Sequence, residues 1–145
     1  MKIRDIMSRE VTIASPNDTM QEAAGTMGRL DVGSLPVSEN DRLVGMVTDR
    51  DIAVRGAGQG LPPSAPVSQA MSREVKYAFD DEDVDAVAEN MADLQVRRLP
   101  VVNRDKRLVG IVSLADIARA AKPKEVGETL REVSQPGGQH SQRTQ

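Results

Sequence analysis

The sequence predicts an α+β fold made of two β-α-β-β-α repeats packed as a pseudo-two-fold pair. Three observations predict it. The stretch Arg-Leu-Val-Gly-Met-Val-Thr-Asp-Arg-Asp-Ile at 42–52 returns at 107–117 as Arg-Leu-Val-Gly-Ile-Val-Ser-Leu-Ala-Asp-Ile. The duplication extends well beyond it: Met7-Ser8-Arg9-Glu10-Val11 returns as Met71-Ser72-Arg73-Glu74-Val75, and Leu35-Pro36-Val37 as Leu99-Pro100-Val101. In both copies, short β-branched apolar runs and helix-period segments follow one another in the same order.

The first copy opens with a short strand at 11–14. Ser15-Pro16-Asn17-Asp18 then reads as a helix start, with Ser15 as cap, Pro16 at the first helical position and Asp18 closing the box. Met20, Ala23, Ala24 and Met27 fall on one apolar helix face. Strands at 35–37 and 43–47 pair across the turn Asn40-Asp41-Arg42. Thr48 and Asp51 form a Thr-x-x-Asp capping box that starts a helix over 49 to about 56.

The second copy repeats this with a strand at 75–79. Its first helix opens in Asp80-Asp81-Glu82-Asp83, a solvated helix start favoured by the dipole rather than a cation site. That helix carries Val84, Val87, Ala88 and Met91 on one face. Strands at 99–102 and 108–112 follow. Arg104-Asp105-Lys106-Arg107 carries one extra residue, placed where a hairpin tip tolerates it. Ser113 and Asp116 then repeat the capping box before a helix over 114–121.

The boundaries follow: a first repeat at 1–58, a breaker-rich linker at 59–66, a second repeat at 67–121 and an extension at 122–145. Val126, Leu130 and Val133 are spaced for a short helix, and the chain from about 135 reads as disordered. A lone copy would bury roughly 60 % of its unfolded surface and be marginal. The apolar faces led by Met20 and Val84 exceed what one pair covers, which predicts a homodimer through helices.

Composition excludes several classes of function. Tyr77 and Phe79 are the only aromatic residues, and the net charge is −3 without a dense basic block. Both facts argue against nucleic acid as a partner. No cysteine is present, and His140 is the only histidine. Thiol chemistry, disulfides and a Ser–His–Asp set are therefore out, no metal is expected, and a reducing cytoplasm fits. Neither a phosphate-loop nor a dinucleotide glycine spacing occurs, so catalysis is not expected. No apolar run is long enough to span a bilayer.

Chemistry concentrates at the duplicated turn. A strand running into a helix start leaves backbone N–H groups and the positive dipole end at the strand's carboxyl end, an anion site. The hydroxyls of Thr48 and Ser113 can donate to a phosphate, and Asp51 and Asp116 can accept from a sugar diol. The other reading of the same residues is a structural cap, and both roles can hold together.

The full order, with its Leu-Pro-Val strand and its Gly-apolar-apolar-Thr/Ser-x-x-Asp turn, resembles the cystathionine-β-synthase (CBS) domain pair, or Bateman module. The resemblance runs over residues 3–121 and points to a small stand-alone bacterial protein of the hypoxic-response type. It implies clefts for AMP, ADP, ATP or S-adenosylmethionine, pairs that dimerise, and signalling of energy or stress state to a protein partner. By that resemblance Asp51 and Asp116 hold ribose, and Thr48 and Ser113 reach phosphate. The backbone of Ile13-Ala14 and Tyr77-Ala78 edges the adenine, and Arg97 and Arg98 meet phosphate. The first copy departs at the last pair, where it has Gly33 and Ser34. A ligand-free dimerisation or docking scaffold is the alternative role.

Overall fold

The computed structural model of the chain describes residues 1–120, 128 and 130–134. The predicted disorder from 135, and His140 with it, lies outside them. The described chain divides into two compact units. One holds Thr12–Val75 with Lys106–Leu108; the other holds Met1–Val11, Lys76–Asp105 and the described part of Val109–Gln145.

These units are not the sequence repeats at 1–58 and 67–121. Residues 1–11 pack with the second copy, and residues 67–75 pack with the first. The cause is a pair of close backbone approaches. Ser8 and Ile111 form an antiparallel bridge, each N–H donating to the other's carbonyl at 2.9 Å. Ser72 and Met46 do the same at 2.8 and 2.9 Å. Each bridge runs beside a glycine that admits it. A Cβ on Gly110 would lie 2.5 Å from Met7 Sδ and 2.8 Å from the Ser8 carbonyl oxygen, and one on Gly45 would lie 2.8 Å from both Met71 Sδ and the Ser72 oxygen.

In the Thr12–Val75 unit the strand expected at 11–14 shrinks to a single parallel bridge between Ala14 and Val37. The Ala14 N–H donates to the Pro36 carbonyl, and its own carbonyl accepts from the Ser38 N–H, both at 2.9 Å. Helix α1 is Met20–Leu30, one turn later than expected. Asp18 does reach back to the Ser15 N–H at 2.8 Å, but it closes a turn. The helix itself starts at a second box, in which Thr19 Oγ1 accepts from the Glu22 N–H at 3.0 Å. Strands β1 (Ser34–Glu39) and β2 (Arg42–Thr48) pair antiparallel, with Ser34 opposite Thr48 and a bulge at Val37/Ser38. Helix α2 (Asp49–Asp51) runs on as a wider π turn over Ile52–Gly56.

The other unit holds β3 (Ala78–Phe79), α3 (Val84–Leu94), β4 (Arg98–Val102), β5 (Leu108–Ser113) and α4 (Leu114–Ala120). Strand β3 is shorter than the predicted 75–79, and it pairs parallel with β4, which lies between β3 and β5. Arg104 forks onto Asp81 at 2.6 and 2.8 Å and stacks 4.0 Å over the Phe79 ring. The bond from Arg104 holds the Asp81 carboxyl below its ordinary range. The acidic run at 80–83 thus meets a cation from the protein itself.

Each unit has its own aliphatic cluster, and the exchanged segments supply part of it. Ile3 and Met7 join Val84, Val87, Met91 and Ile117. Val67 and Met71 join Met27, Leu35 and Val47. Val133, from a short helical stretch near the C-terminus, is 8 % exposed and belongs to the first of these clusters. Gln95 Nε2 beside it donates to the Glu132 carbonyl at 2.8 Å. Met20 is 2 % exposed and Val84 4 %, so the two residues that lead the predicted helix faces pack inside their own units, while Ala24 and Leu30 of the first helix stay exposed.

Candidate functional site

Each unit carries one of the two predicted sites at the end of a β-strand. In the first copy Thr48 Oγ1 accepts from the Asp51 N–H at 2.9 Å, and Asp51 Oδ2 accepts from the Thr48 N–H at 3.0 Å. In the second, Ser113 and Asp116 make the same two bonds at 3.2 and 2.9 Å. Both boxes are complete, so the capping reading holds in full for the four residues. The Asp51 and Asp116 side chains are only 15 % and 12 % exposed.

The expected supply of free N–H groups is largely used up inside the protein. The Asp49 N–H donates to the Gly33 carbonyl at 3.0 Å, the Arg50 N–H to Asp49 Oδ1 at 2.8 Å, and the Asp51 N–H to Thr48. In the second copy the Leu114 N–H donates to the Arg97 carbonyl at 3.0 Å. The matching bonds from Asp49 and Leu114 fasten positions 33 and 97 to the turn of their own copy. They bring the Arg97 backbone to the Ser113–Asp116 turn, and the Gly33 backbone to the Thr48–Asp51 turn. Arg97 and Arg98 are exposed.

The second oxygen of each aspartate has an arginine partner: Arg55, which flanks the first site in the sequence and reads there as a surface charge, and Arg119, which the sequence reading did not assign. Arg55 Nε lies 3.8 Å from Asp51 Oδ1, and Arg119 Nη2 bonds Asp116 Oδ1. The signal was available in the spacing, since arginines four and three residues after an acid share its helix face. Arg55 also donates to the Met71 carbonyl at 3.3 Å. Asp49 was missed as well.

The strand-side residues are placed less uniformly. Ala14 is buried and its backbone is bonded to β1, whereas Ile13 beside it is 44 % exposed. Ala78 is buried in β3 opposite Val101. Tyr77 is 38 % exposed and packs edge-on against Phe79, with ring centroids 5.6 Å apart. A cavity of about 550 Å³ is lined by Met1, Asp5, Ile6, Asp116, Arg119 and Ala120. One of about 270 Å³ in the other unit is lined by Ala24, Met27, Gly28, Val32, Asp49 and Ile52. Of the predicted site residues only Asp116 lines either.

The CBS domain family model matches residues 3–57 and 67–123. The chain belongs to the CBS domain family. It is 41 % identical over 133 residues to the CBS domain-containing protein YhcV of Bacillus subtilis, covering 91 % of this chain and 94 % of that protein. Among solved structures, Hypoxic Response Protein I with two coordinated zinc ions superposes with a TM-score of 0.76 at 39 % identity, over 84 % of this chain and all of that one. The CBS domain pair of protein MJ0100, in complex with 5′-methylthioadenosine and S-adenosyl-L-methionine, gives 0.70 at 33 % identity, over 83 % and 94 %. These likenesses establish α+β tandem CBS repeats. Among the described residues of this CBS protein, no three His, Cys, Asp or Glu side chains converge as a metal site would need. No described helix is long and apolar enough to cross a membrane.

Proposed function

We propose that this CBS protein is a non-catalytic regulatory module that binds an adenosine-containing ligand at its two strand-to-helix turns. The observation that carries the reading is the repeated hydroxyl–aspartate turn in a chain 33 % identical to a CBS pair solved with two adenosine compounds. Asp51 and Asp116 take the ribose diol, with Arg55 and Arg119 swinging off the second oxygens. Thr48 and Ser113 face the 5′ substituent. Ile13 and Tyr77 border the base; at Ala14 the backbone bonds to β1 leave Ile13 as the open edge. Arg97 and Arg98 meet phosphate in the second copy.

Thermal melting of the full chain tests this, with AMP, ADP, ATP, S-adenosylmethionine and 5′-methylthioadenosine as ligands and GMP as control. A ligand at a hundredfold its Kd stabilises the folded state by about 2.7 kcal/mol. For a chain of this size the melt should rise by roughly 5–10 °C. The complete capping boxes favour one rival, a ligand-free scaffold. No shift with any adenosine compound at millimolar concentration would give that rival the lead.

The same reading includes a cytoplasmic homodimer that passes energy or stress state to a protein partner. With Met20 and Val84 buried, the exposed residues of the same helices, such as Ala24 and Leu30, are left to make the contact. Light scattering at micromolar concentration should return twice the chain mass; a monomer at all concentrations would sink the dimer.

A further inference from the structure

We propose that the two copies take chemically different adenosine compounds: the second a 5′-phosphorylated one, the first one whose 5′ substituent is neutral or cationic, such as a thioether or sulfonium. This rests on the adenosine reading above and assigns a ligand class to each of its sites. The observation is a charge reversal at one matched place. In the second copy the Leu114 N–H fastens Arg97 to the turn; in the first the Asp49 N–H fastens Gly33. The arginine and its uncharged neighbour are thus exchanged for a glycine and a carboxylate.

The exchange is physically coupled. A Cβ on Gly33 would meet Asp49 Oδ2 at 3.4 Å and its Cγ and Oδ1 at 3.7 Å. The carboxylate therefore lies against the place where the arginine side chain would begin. Leu114, in contrast, is buried at 8 % exposure among apolar neighbours and brings no charge. Taken around each turn, the first copy has Asp49, Arg50, Asp51 and Arg55, which cancel. The second has Arg97, Arg98, Asp116 and Arg119, together with Asp5, which lines the same cavity as Asp116 and Arg119, a net charge of one positive.

A phosphate beside Asp49 meets a like charge, which disfavours it; a sulfonium meets an opposite one. Asp49 is also the only charged residue lining the 270 Å³ cavity, whose other walls are Ala24, Met27, Gly28, Val32 and Ile52. Thr48 and Asp51 lie outside that lining, so the cavity adds an apolar surface next to Asp49 and does not itself hold the ribose. Arg50 and Arg55 are the cations of this turn that could reverse this preference, and Arg55 is already drawn to Asp51 Oδ1 at 3.8 Å. The Arg50 Nη1 is buried and has no hydrogen-bond partner among the described residues.

The test is calorimetric titration of the full chain with AMP, 5′-methylthioadenosine and S-adenosylmethionine, alone and in competition. AMP should fill one site per chain, lost in Arg97→Met with Arg98→Met. The sulfonium compound should fill the other and be weakened at least tenfold by Asp49→Asn, which keeps the side chain's size. Gly33→Arg with Asp49→Leu should add an AMP site; Asp49→Asn alone should raise AMP affinity in the first copy and covers the case of a double variant that does not fold. AMP filling both sites with affinities within threefold, or AMP lost in Arg50→Met and kept in the Arg97/Arg98 variant, overturns the assignment while leaving the adenosine reading intact. If no adenosine compound binds wild type at millimolar concentration, both readings fall.

Discussion

Gly110→Ala should lower the melting temperature by roughly 6–12 °C, on an overpacking cost of about 2–3 kcal/mol. The added carbon would sit 2.5 Å from Met7 Sδ and 2.8 Å from the Ser8 carbonyl oxygen. The sulfur ends a flexible side chain and can move. The oxygen is backbone and belongs to the two-bond bridge between Ser8 and Ile111, so relief means giving up that bridge. Met7→Ala in the same background should therefore restore only part of the loss. Gly28 is the control. It lies inside α1, and a Cβ there meets nothing within 4 Å, so Gly28→Ala should stabilise by about 0.5–1 kcal/mol. Equal and small effects at the two glycines would mean that the Ser8 bridge contributes nothing to the fold.

Asp116 carries the second large expectation. Asp116→Ala removes the acceptor of the Ser113 N–H and the partner of Arg119 together, and should destabilise the ligand-free chain by about 1–2 kcal/mol. If the carboxylate also holds a ribose, its loss should weaken an adenosine compound about ten- to a hundredfold. Asparagine separates the two roles. Its amide oxygen can still accept from the Ser113 N–H, so the Asp116→Asn melt should stay near wild type. It brings no charge to the ribose hydroxyls, so affinity should still fall by about tenfold. Thermal melts and calorimetry on the same samples read both quantities. An Asn variant that binds like wild type would leave Asp116 as a helix cap only.

The duplication was legible because it is written in residue types that act locally. Thr48-x-x-Asp51 and Ser113-x-x-Asp116 close in the structure as the spacing requires. The apolar periods of Met20–Met27 and Val84–Met91 identify the buried Met20, Ala23, Met27, Val84, Val87 and Met91, but Ala24 of the same pattern is exposed and Ala88 half-buried. The start of α1 was misread by one turn because Ser15-x-x-Asp18 and Thr19-x-x-Glu22 are both boxes, and local pattern does not rank them. The partner of each buried face was not legible either. Burial of Met20 and Val84 inside their own units depends on what the exchanged segments cover, which is tertiary information. Most of all, nothing in the spacing shows that Met7-Ser8 packs on Gly110 and Met71-Ser72 on Gly45. In sequence, each Met-Ser pair simply stands near the start of its own repeat.

The aspartates show the limit on the site. The sequence predicted N–H groups open to an anion, yet the N–H groups of Asp49, Arg50 and Asp51 are all answered by protein oxygens. In the first copy, any preference for phosphate then has to come from side chains. That shifts attention from the shared helix start to the residues that differ, Gly33 and Asp49 against Arg97 and Leu114.

The exchange of Met1–Val11 into the later half of the chain has a consequence for synthesis. Those residues leave the ribosome well before Ile111 and its neighbours, on which they pack. At about 5–20 residues per second that wait lasts roughly 5–20 s. Meanwhile Thr12–Val75 can already collapse, because the Met71-Ser72 segment that completes it follows directly. Ile3 and Met7, both buried in the finished protein, spend this interval without the residues they pack on. The order of manufacture therefore runs against the order of assembly, and a segment made early is among the last to be locked in.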